Sequence, residues 1–251
     1  NGVLNIENNG SLVQKEDGFV NVGNISYKRA VSMRLQDYVY WSSPVSGFTA
    51  GNISPGTSSF YNFSWNPVVS NPNGGWGNWY ASAGETMVAG KGYIARAPNA
   101  FNNVTAQNFI ANFNNGVPNN GVITVPVSRA NNVGADVVGP NGTTITKFDD
   151  NWNLVGNPYP SAINVAAFLA LNNNIEGAVR IWSHGSLPSA AVSSPFYEGF
   201  AVNYTPNDYI THNGVGTVSG PAGFNGFVAG GQSFLVNMLD GPTATENIQF
   251  N

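Results

Sequence analysis

Aromatic and amide side chains are concentrated in residues 71–80, which read NPNGGWGNWY. Flat aromatic faces beside amides suit sugar rings, which offer C–H faces and hydroxyl groups. The neighbouring glycines would leave those faces exposed. We therefore predict a carbohydrate site formed by Trp76, Asn78, Trp79 and Tyr80. The alternative is that Trp76 and Trp79 turn inward and cover one end of the core.

Asp149, Asp150 and Asn151 form a second cluster of oxygen-bearing side chains, just before a predicted strand. Carboxylate and amide oxygens are ligands that calcium takes, so calcium is the one cofactor that the sequence suggests. The segment has no glycine-spaced calcium loop. A turn in which Asp and Asn side chains bond their own backbone is the alternative.

Catalytic patterns are weak. The chain has no cysteine and only two histidines, His184 and His212, and it has no G-x-S-x-G motif. Residues 84–92 resemble a phosphate loop but have one residue too many between the glycines, and Gly92 stands where Ser or Thr binds magnesium. No spacing argument pairs the carboxylates for glycoside hydrolysis. The candidates were Glu85, Glu176, Glu198 and Asp208. We predict a protein that is not an enzyme.

The charge content excludes two classes of partner. Charged residues make up 9% of the chain and the net charge is -4, against a charged fraction of about 25% in average soluble proteins. Nine basic residues, scattered mostly singly, give no footprint for nucleic acid or anionic lipid. No apolar run approaches the ~20 residues of a membrane span, so neither nucleic acid binding nor membrane insertion is predicted.

Short apolar runs separated by Gly, Pro, Asn and Ser predict an all-β, β-sandwich-like fold of many strands. Apolar residues at helical spacing after Ser161 predict one short helix capped by that residue. The first residues, VLNIENNGSLVQ, read either as a plain β-hairpin or as the last rung of an upstream β-solenoid. Lys28, Arg29 and Arg34 form the one basic cluster, read as a solvated strand face.

Four segments recur in the same order, which indicates two pseudo-repeated units. Each unit has an aromatic strand stopped by proline and, later, a glycine before a buried strand. The matched pairs are YVYWSSPVS (38–46) with WNLVGNPYP (152–160), YNFS (61–64) with RIWS (180–183), MVAGKGYIA (87–95) with VAGGQSFLV (228–236), and FIANFN (109–114) with ENIQFN (246–251). The sequence thus predicts N-terminal strands in 1–34, a first β unit in 35–148 and a second in 149–251.

Several of these segments resemble a family of large surface-exposed and secreted proteins of Bacteroidota that the type IX secretion system exports. The segments that carry the resemblance are IENNGSLVQ, VNVGNISYKR, DYVYWSSPVSG, VAGKGYIARAP, NGVPNNGVITVPV, WNLVGNPYPSAIN and IWSH. The resemblance implies an adhesin-like or repeat-bearing surface protein. Such proteins usually end in a separate sorting domain, whose absence here suggests a fragment or a processed form.

Composition, repeat and resemblance together predict a non-catalytic extracellular structural or adhesion module, located on the cell surface or in a secreted fibre. Strand edges that Lys or Glu does not guard can pair with another chain, so the expected partners are other copies of this chain or neighbouring repeats of its parent. The alternative is a carbohydrate-binding module that holds polysaccharide with the Trp76–Tyr80 segment.

Overall fold

The computed structural model describes residues 3–71, 76–130, 135–138, 144–146, 150–192 and 202–251. The fold is all-β, as predicted. Its strands are β1 (Leu4–Ile6), β2 (Ile25–Met33), β3 (Tyr38–Trp41), β4 (Asn62–Ser70), β5 (Trp76–Ala81), β6 (Tyr93–Arg96), β7 (Gln107–Gly116), β8 (Ile123–Ser128), β9 (Val137–Val138), β10 (Thr144–Ile145), β11 (Trp152–Gly156), β12 (Ile163–Asn164), β13 (Val179–Trp182), β14 (Tyr209–His212), β15 (Thr217–Ser219), β16 (Phe227–Val228), β17 (Ser233–Asn237) and β18 (Thr245–Phe250). One α-helix, α1 (Val165–Leu171), and three 3-10 turns complete the described elements.

The strands form two sandwiches that stack on each other. In the first, β2 and β7 cover one face of a sheet ordered β3-β6-β4-β5. In the second, β8, β18 and α1 cover one face of a sheet ordered β11-β17-β13-β14-β15. The remaining faces of the two sheets meet in an aromatic cluster whose buried members are Tyr40, Ile94, Leu154 and Trp182. Each strand of the two sheets contributes side chains to both faces, because successive side chains point to opposite sides.

Strand pairing gives the two halves the same register. Trp41 faces Tyr93 in the first sheet, and the repeat alignment maps that pair onto Val155 and Phe234, which face each other in the second. The fourth matched segments, in β7 and β18, pair with β2 and β8 respectively. β8 therefore belongs to the second half, although the sequence analysis placed it in the first β unit. The pairing joins β2 to the first copy, although the sequence analysis assigned residues 1–34 to a separate N-terminal segment.

The second pair of matched segments needs a shift of two residues. Ile94 pairs with Phe63, and its counterpart Leu235 pairs with Arg180, so Phe63 corresponds to Arg180. This register aligns Trp65 with Trp182. The Trp65 indole N–H donates to the Trp152 carbonyl at 2.7 Å, and the Trp182 indole N–H donates to the Tyr38 carbonyl at 3.0 Å. Each tryptophan thus binds the first strand of the other half.

Backbone hydrogen bonds exchange between the halves in the same reciprocal way. Ser42 N donates to the Gly231 carbonyl, and Gly156 N donates to the Gly90 carbonyl, both at 2.9 Å. Gly90 and Gly231 have φ of 82° and 69°, a left-handed conformation that costs other L-residues about 1–2 kcal/mol. The repeated glycine therefore serves the junction of the two halves as well as the turn before a buried strand.

Several local expectations were wrong. Asn164, not Ser161, caps α1 by accepting a hydrogen bond from Ala167 N, because the chain stays extended through β12, which pairs with β16. Residues 11–14, which would form the second strand of the N-terminal hairpin, form no strand. The N-terminal hairpin is also absent, since β1 runs parallel to β2 with Leu4 beside Ile25. That parallel stacking is the arrangement expected of a solenoid rung.

Replacing Gly90 with alanine tests the junction. A Cβ at Gly90 would lie 2.2 Å from Val125 Cγ2, whereas a Cβ at Gly84 meets nothing within 4 Å. We expect Gly90→Ala to lower the free energy of unfolding by about 2 kcal/mol or more, from backbone strain and overpacking. Gly84→Ala, measured in the same urea titration, should change it by less than about 0.5 kcal/mol. Equal effects of the two substitutions would contradict this account of the glycine.

Candidate functional site

The predicted carbohydrate residues lie on β5, the edge strand of the first sheet, and they do not share one face. Trp79 packs into the aromatic cluster, 4.9 Å from the Trp65 ring and 6.3 Å from the Tyr40 ring. Trp76, Asn78 and Tyr80 alternate to the other side, where Tyr80 is exposed. The inward alternative therefore describes Trp79. The connecting residues 72–75 lie outside the described part of the chain.

The described residues of the predicted calcium cluster contact other parts of the protein. The Asn151 amide donates to Asp240 Oδ1 at 3.2 Å, and the Asn151 backbone has φ of 60°. The Asp150 carbonyl accepts from the Asn237 amide at 2.7 Å. Within the described ranges, no group of three or more His, Asp or Glu side chains could hold a metal ion. Asp149 lies outside those ranges, so calcium stays a prediction from sequence.

The other candidate residues that the structure describes have partners nearby. Lys91 pairs with Glu85 at 3.2 Å and lies over the Tyr93 ring, and Glu85 also accepts from the Ser64 hydroxyl. Gly92 matters to the packing of the two halves. A Cβ there would lie 2.4 Å from Leu154 Cγ, in the other half. Of the other candidate carboxylates, Glu176 binds Arg180, and Asp208 accepts a hydrogen bond from Ser186. Glu198 lies outside the described residues.

A cleft of about 330 Å³ opens where β2 and β3 of the first half meet β13 and β14 of the second. This volume is at the lower end of the range for small-ligand sites, roughly 300–1,000 Å³. Its walls combine aromatic and polar groups, as such sites do. The residues that matter to its chemistry are Arg29, Tyr40, Trp182, His184, Phe224 and Gln232.

Arg29 lines this cleft, and among the described residues its side chain forms no hydrogen bond or ion pair. It occupies the core-facing row of β2 with Tyr27, Val31 and Met33, so it is not on the solvated face that the sequence suggested. Nη1 is buried and has no hydrogen-bond partner among the described residues. The guanidinium lies 5.2 Å from the centre of the Trp41 ring, and burial lowers the Arg29 pKa to about 10. A buried donor left unpaired costs about 1–3 kcal/mol.

His184 faces the same cleft. Its Nε2 lies 3.0 Å from the Ser32 carbonyl, which can only accept, so Nε2 carries the proton in the neutral ring. Nδ1 is buried and finds no partner in the described part of the chain. In the neutral tautomer it is therefore an unused acceptor.

The backbone of His184 is strained and held in place. Its φ of 44° is uncommon for a non-glycine residue. The Arg34 Nη2 donates to the His184 carbonyl at 2.9 Å, and Arg34 itself makes two bonds to the buried Asp37 carboxylate. This chain of charged hydrogen bonds fixes the loop that carries the imidazole into the cleft.

The repeat is an internal control for these residues, because each has a counterpart in the other half. By strand register, Arg29 corresponds to Val125, and His184 corresponds to Pro67. Val125 is 5% exposed and packs in the second core. The second copy thus packs with an apolar residue at the position that corresponds to Arg29, so the architecture does not require an arginine there.

The sequence held a signal for Arg29 that the interpretation missed. In ISYKRAVSM the alternate residues Tyr27, Arg29, Val31 and Met33 include a charged side chain in an otherwise apolar row. The partnership with His184, far along the chain, could not be read from spacing.

The molecule is an all-β domain of two reciprocally joined sandwiches with a polar and aromatic cleft between them. The family model described as a domain of unknown function (DUF8693) matches residues 1–251, and the chain belongs to this family. No curated protein and no solved structure matches it. Among the described residues, no helix is long and apolar enough to cross a membrane.

Replacing Arg29 with an apolar residue separates a structural role from a binding role. Because no carboxylate among the described residues pairs with its charge, we expect Arg29→Met to raise the free energy of unfolding by about 1 kcal/mol. Arg34→Met should lower it by about 3 kcal/mol, since it leaves the Asp37 carboxylate, 2% exposed, without its cation. Urea unfolding of both variants measures the difference. A loss of stability in Arg29→Met similar to that in Arg34→Met would make Arg29 structural.

Buried tyrosines beside the cleft should make the protein sensitive to alkali. Burial raises the pKa values of Tyr38 and Tyr209 from 10.0 to about 12. Folding favours the neutral phenols, so their stabilisation is fully present below pH 10 and is lost as the pH rises towards about 12. Unfolding free energies measured across that window should fall, and Tyr209→Phe should make the fall less steep. A stability that stays constant through the window would contradict the burial of these phenols.

Proposed function

We propose that this domain is a non-catalytic adhesion module of a secreted or cell-surface protein, and that it acts by binding a saccharide in the cleft. The observation that carries the proposal is the pair of buried nitrogens, Arg29 Nη1 and His184 Nδ1, which find no partner in the described chain although both residues line one cleft. Buried polar groups in folded proteins are normally hydrogen-bonded. A ligand with oxygen atoms would supply the missing partners once the two side chains turn towards it, because both nitrogens are closed to solvent in the unbound protein.

The walls of the cleft favour a sugar among oxygen-bearing ligands. Phe224 brings partly exposed aromatic surface beside the two polar residues, and the buried rings of Tyr40 and Trp182 also line the cleft. Sugars present C–H faces to such rings and hydroxyl groups to the polar atoms. The low charge of the chain and its resemblance to secreted surface proteins support a location outside the cell.

Glycan-array binding of the purified domain tests the proposal. We expect wild-type protein to bind at least one class of oligosaccharide and Arg29→Gln to bind it at least about tenfold more weakly, since a hydrogen bond to a charged group contributes about 1.5–3 kcal/mol. Lys28→Gln is the matched control. It removes the same charge from the adjacent position of β2, where Lys28 pairs with Glu7 on the opposite face.

Two results would contradict the proposal. Absence of binding to any saccharide would remove the function. Binding that survives Arg29→Gln but is lost when Trp76 and Tyr80 are both replaced by alanine would move the site to the outer face of β5, as the sequence alone suggested.

A further inference from the structure

The two unpaired nitrogens of the cleft differ in what they require. The Arg29 guanidinium only donates hydrogen bonds and carries a positive charge. His184 Nδ1, in the tautomer fixed by the Ser32 carbonyl, only accepts. A matching ligand must therefore present an acceptor to the first residue and a hydroxyl or amide donor to the second.

Charge decides the nature of the acceptor. In the described chain, five cation–carboxylate pairs are present and none of them includes Arg29. The titratable side chains identified around it are Tyr27, Tyr40 and His184, and none of them is an acid that is ionised at neutral pH. A guanidinium binds a carboxylate through two parallel hydrogen bonds, which are roughly twice as strong as bonds between neutral groups. An anionic oxygen group fits this position better than a neutral hydroxyl.

From this complementarity, and resting on the proposed function, we infer that the cleft binds an acidic sugar: its carboxylate pairs with Arg29, and one of its hydroxyl groups donates to His184 Nδ1. The hydroxyl requirement separates this ligand from a simple carboxylate or an inorganic anion, because neither acetate nor chloride has a proton for Nδ1. The repeat-related positions, Val125 and Pro67, offer neither a guanidinium nor an imidazole, so the repeat does not duplicate this site.

Matched pairs of monosaccharides test the inference with the full chain. Galacturonate and galactose differ only in carboxylate against hydroxymethyl, as do glucuronate and glucose. Ligand-observed NMR or calorimetry should give at least one acid that binds about tenfold or more tightly than its neutral partner, the ratio expected from a charge-assisted hydrogen bond. Arg29→Gln should abolish the difference, and Arg29→Lys should retain part of it because the charge remains.

The His184 half of the inference has its own variant. His184→Asn keeps a residue that tolerates positive φ, but its shorter side chain cannot contact both the Ser32 carbonyl and a ligand. We expect it to weaken acidic-sugar binding several-fold while leaving acetate binding unchanged. Circular dichroism and unfolding curves confirm that each variant folds, and Lys28→Gln again controls for net charge.

The outcomes distinguish this inference from the proposed function. Equal binding of acid and neutral sugar, both weakened by Arg29→Gln, overturns the acidic-sugar inference and leaves saccharide binding intact. Acetate that binds as tightly as the sugar acid overturns the hydroxyl contact to His184. No binding by any sugar, with water as the sole occupant of the cleft, overturns both.

Discussion

Two backbone hydrogen bonds, from Ser42 to Gly231 and from Gly156 to Gly90, determine how the two halves of this domain meet. They are equivalent under the repeat, so the junction has the self-complementary character of a twofold dimer interface formed within one chain. Such an approach of backbones requires small residues on both sides. A Cβ at Gly92 would lie 2.9 Å from Ser233 Cβ, and one at Gly156 would lie 2.5 Å from Ser42 Cβ.

The same junction positions the aromatic cluster. With the strand ends held together, the outer faces of the two sheets must pack on each other, and Tyr40 of one half meets Trp182 of the other at 6.0 Å between ring centres. The indole N–H groups of Trp65 and Trp182 are satisfied by carbonyls of the opposite half. These two hydrogen bonds hold the sheets in one register. That register decides which residues line the cleft.

Fold class and repeat could be predicted from the sequence because alternation, turn residues and aligned segments are local signals. The two-residue shift that aligns Trp65 with Trp182 could not be predicted. By letters alone, aligning the final serines of YNFS and RIWS is as good a match as aligning the two tryptophans. The cap at Asn164 depends on pairing with β16, far along the chain. The cleft depends on distance in space, so residues as remote as Arg29 and His184 carry no common pattern.

The cleft lies where the residues of the two copies differ. The difference includes a charge, because the first copy has Arg29 where the second has Val125. In a chain with 9% charged residues, Arg34, Arg129 and Arg180 each bind a carboxylate, and Arg96 lies over the Tyr61 ring and donates to Asn99. Arg29 lies over the Trp41 ring and has neither a carboxylate nor an amide partner among the described residues, at a position where the other copy has valine. Natural proteins depart from local consistency mainly at functional sites, where stability is given up for activity. An arginine that the fold does not need, in the same cleft as a strained histidine that Arg34 holds in place, is such a departure under the proposed function, and the acidic sugar proposed above would bring the missing negative charge.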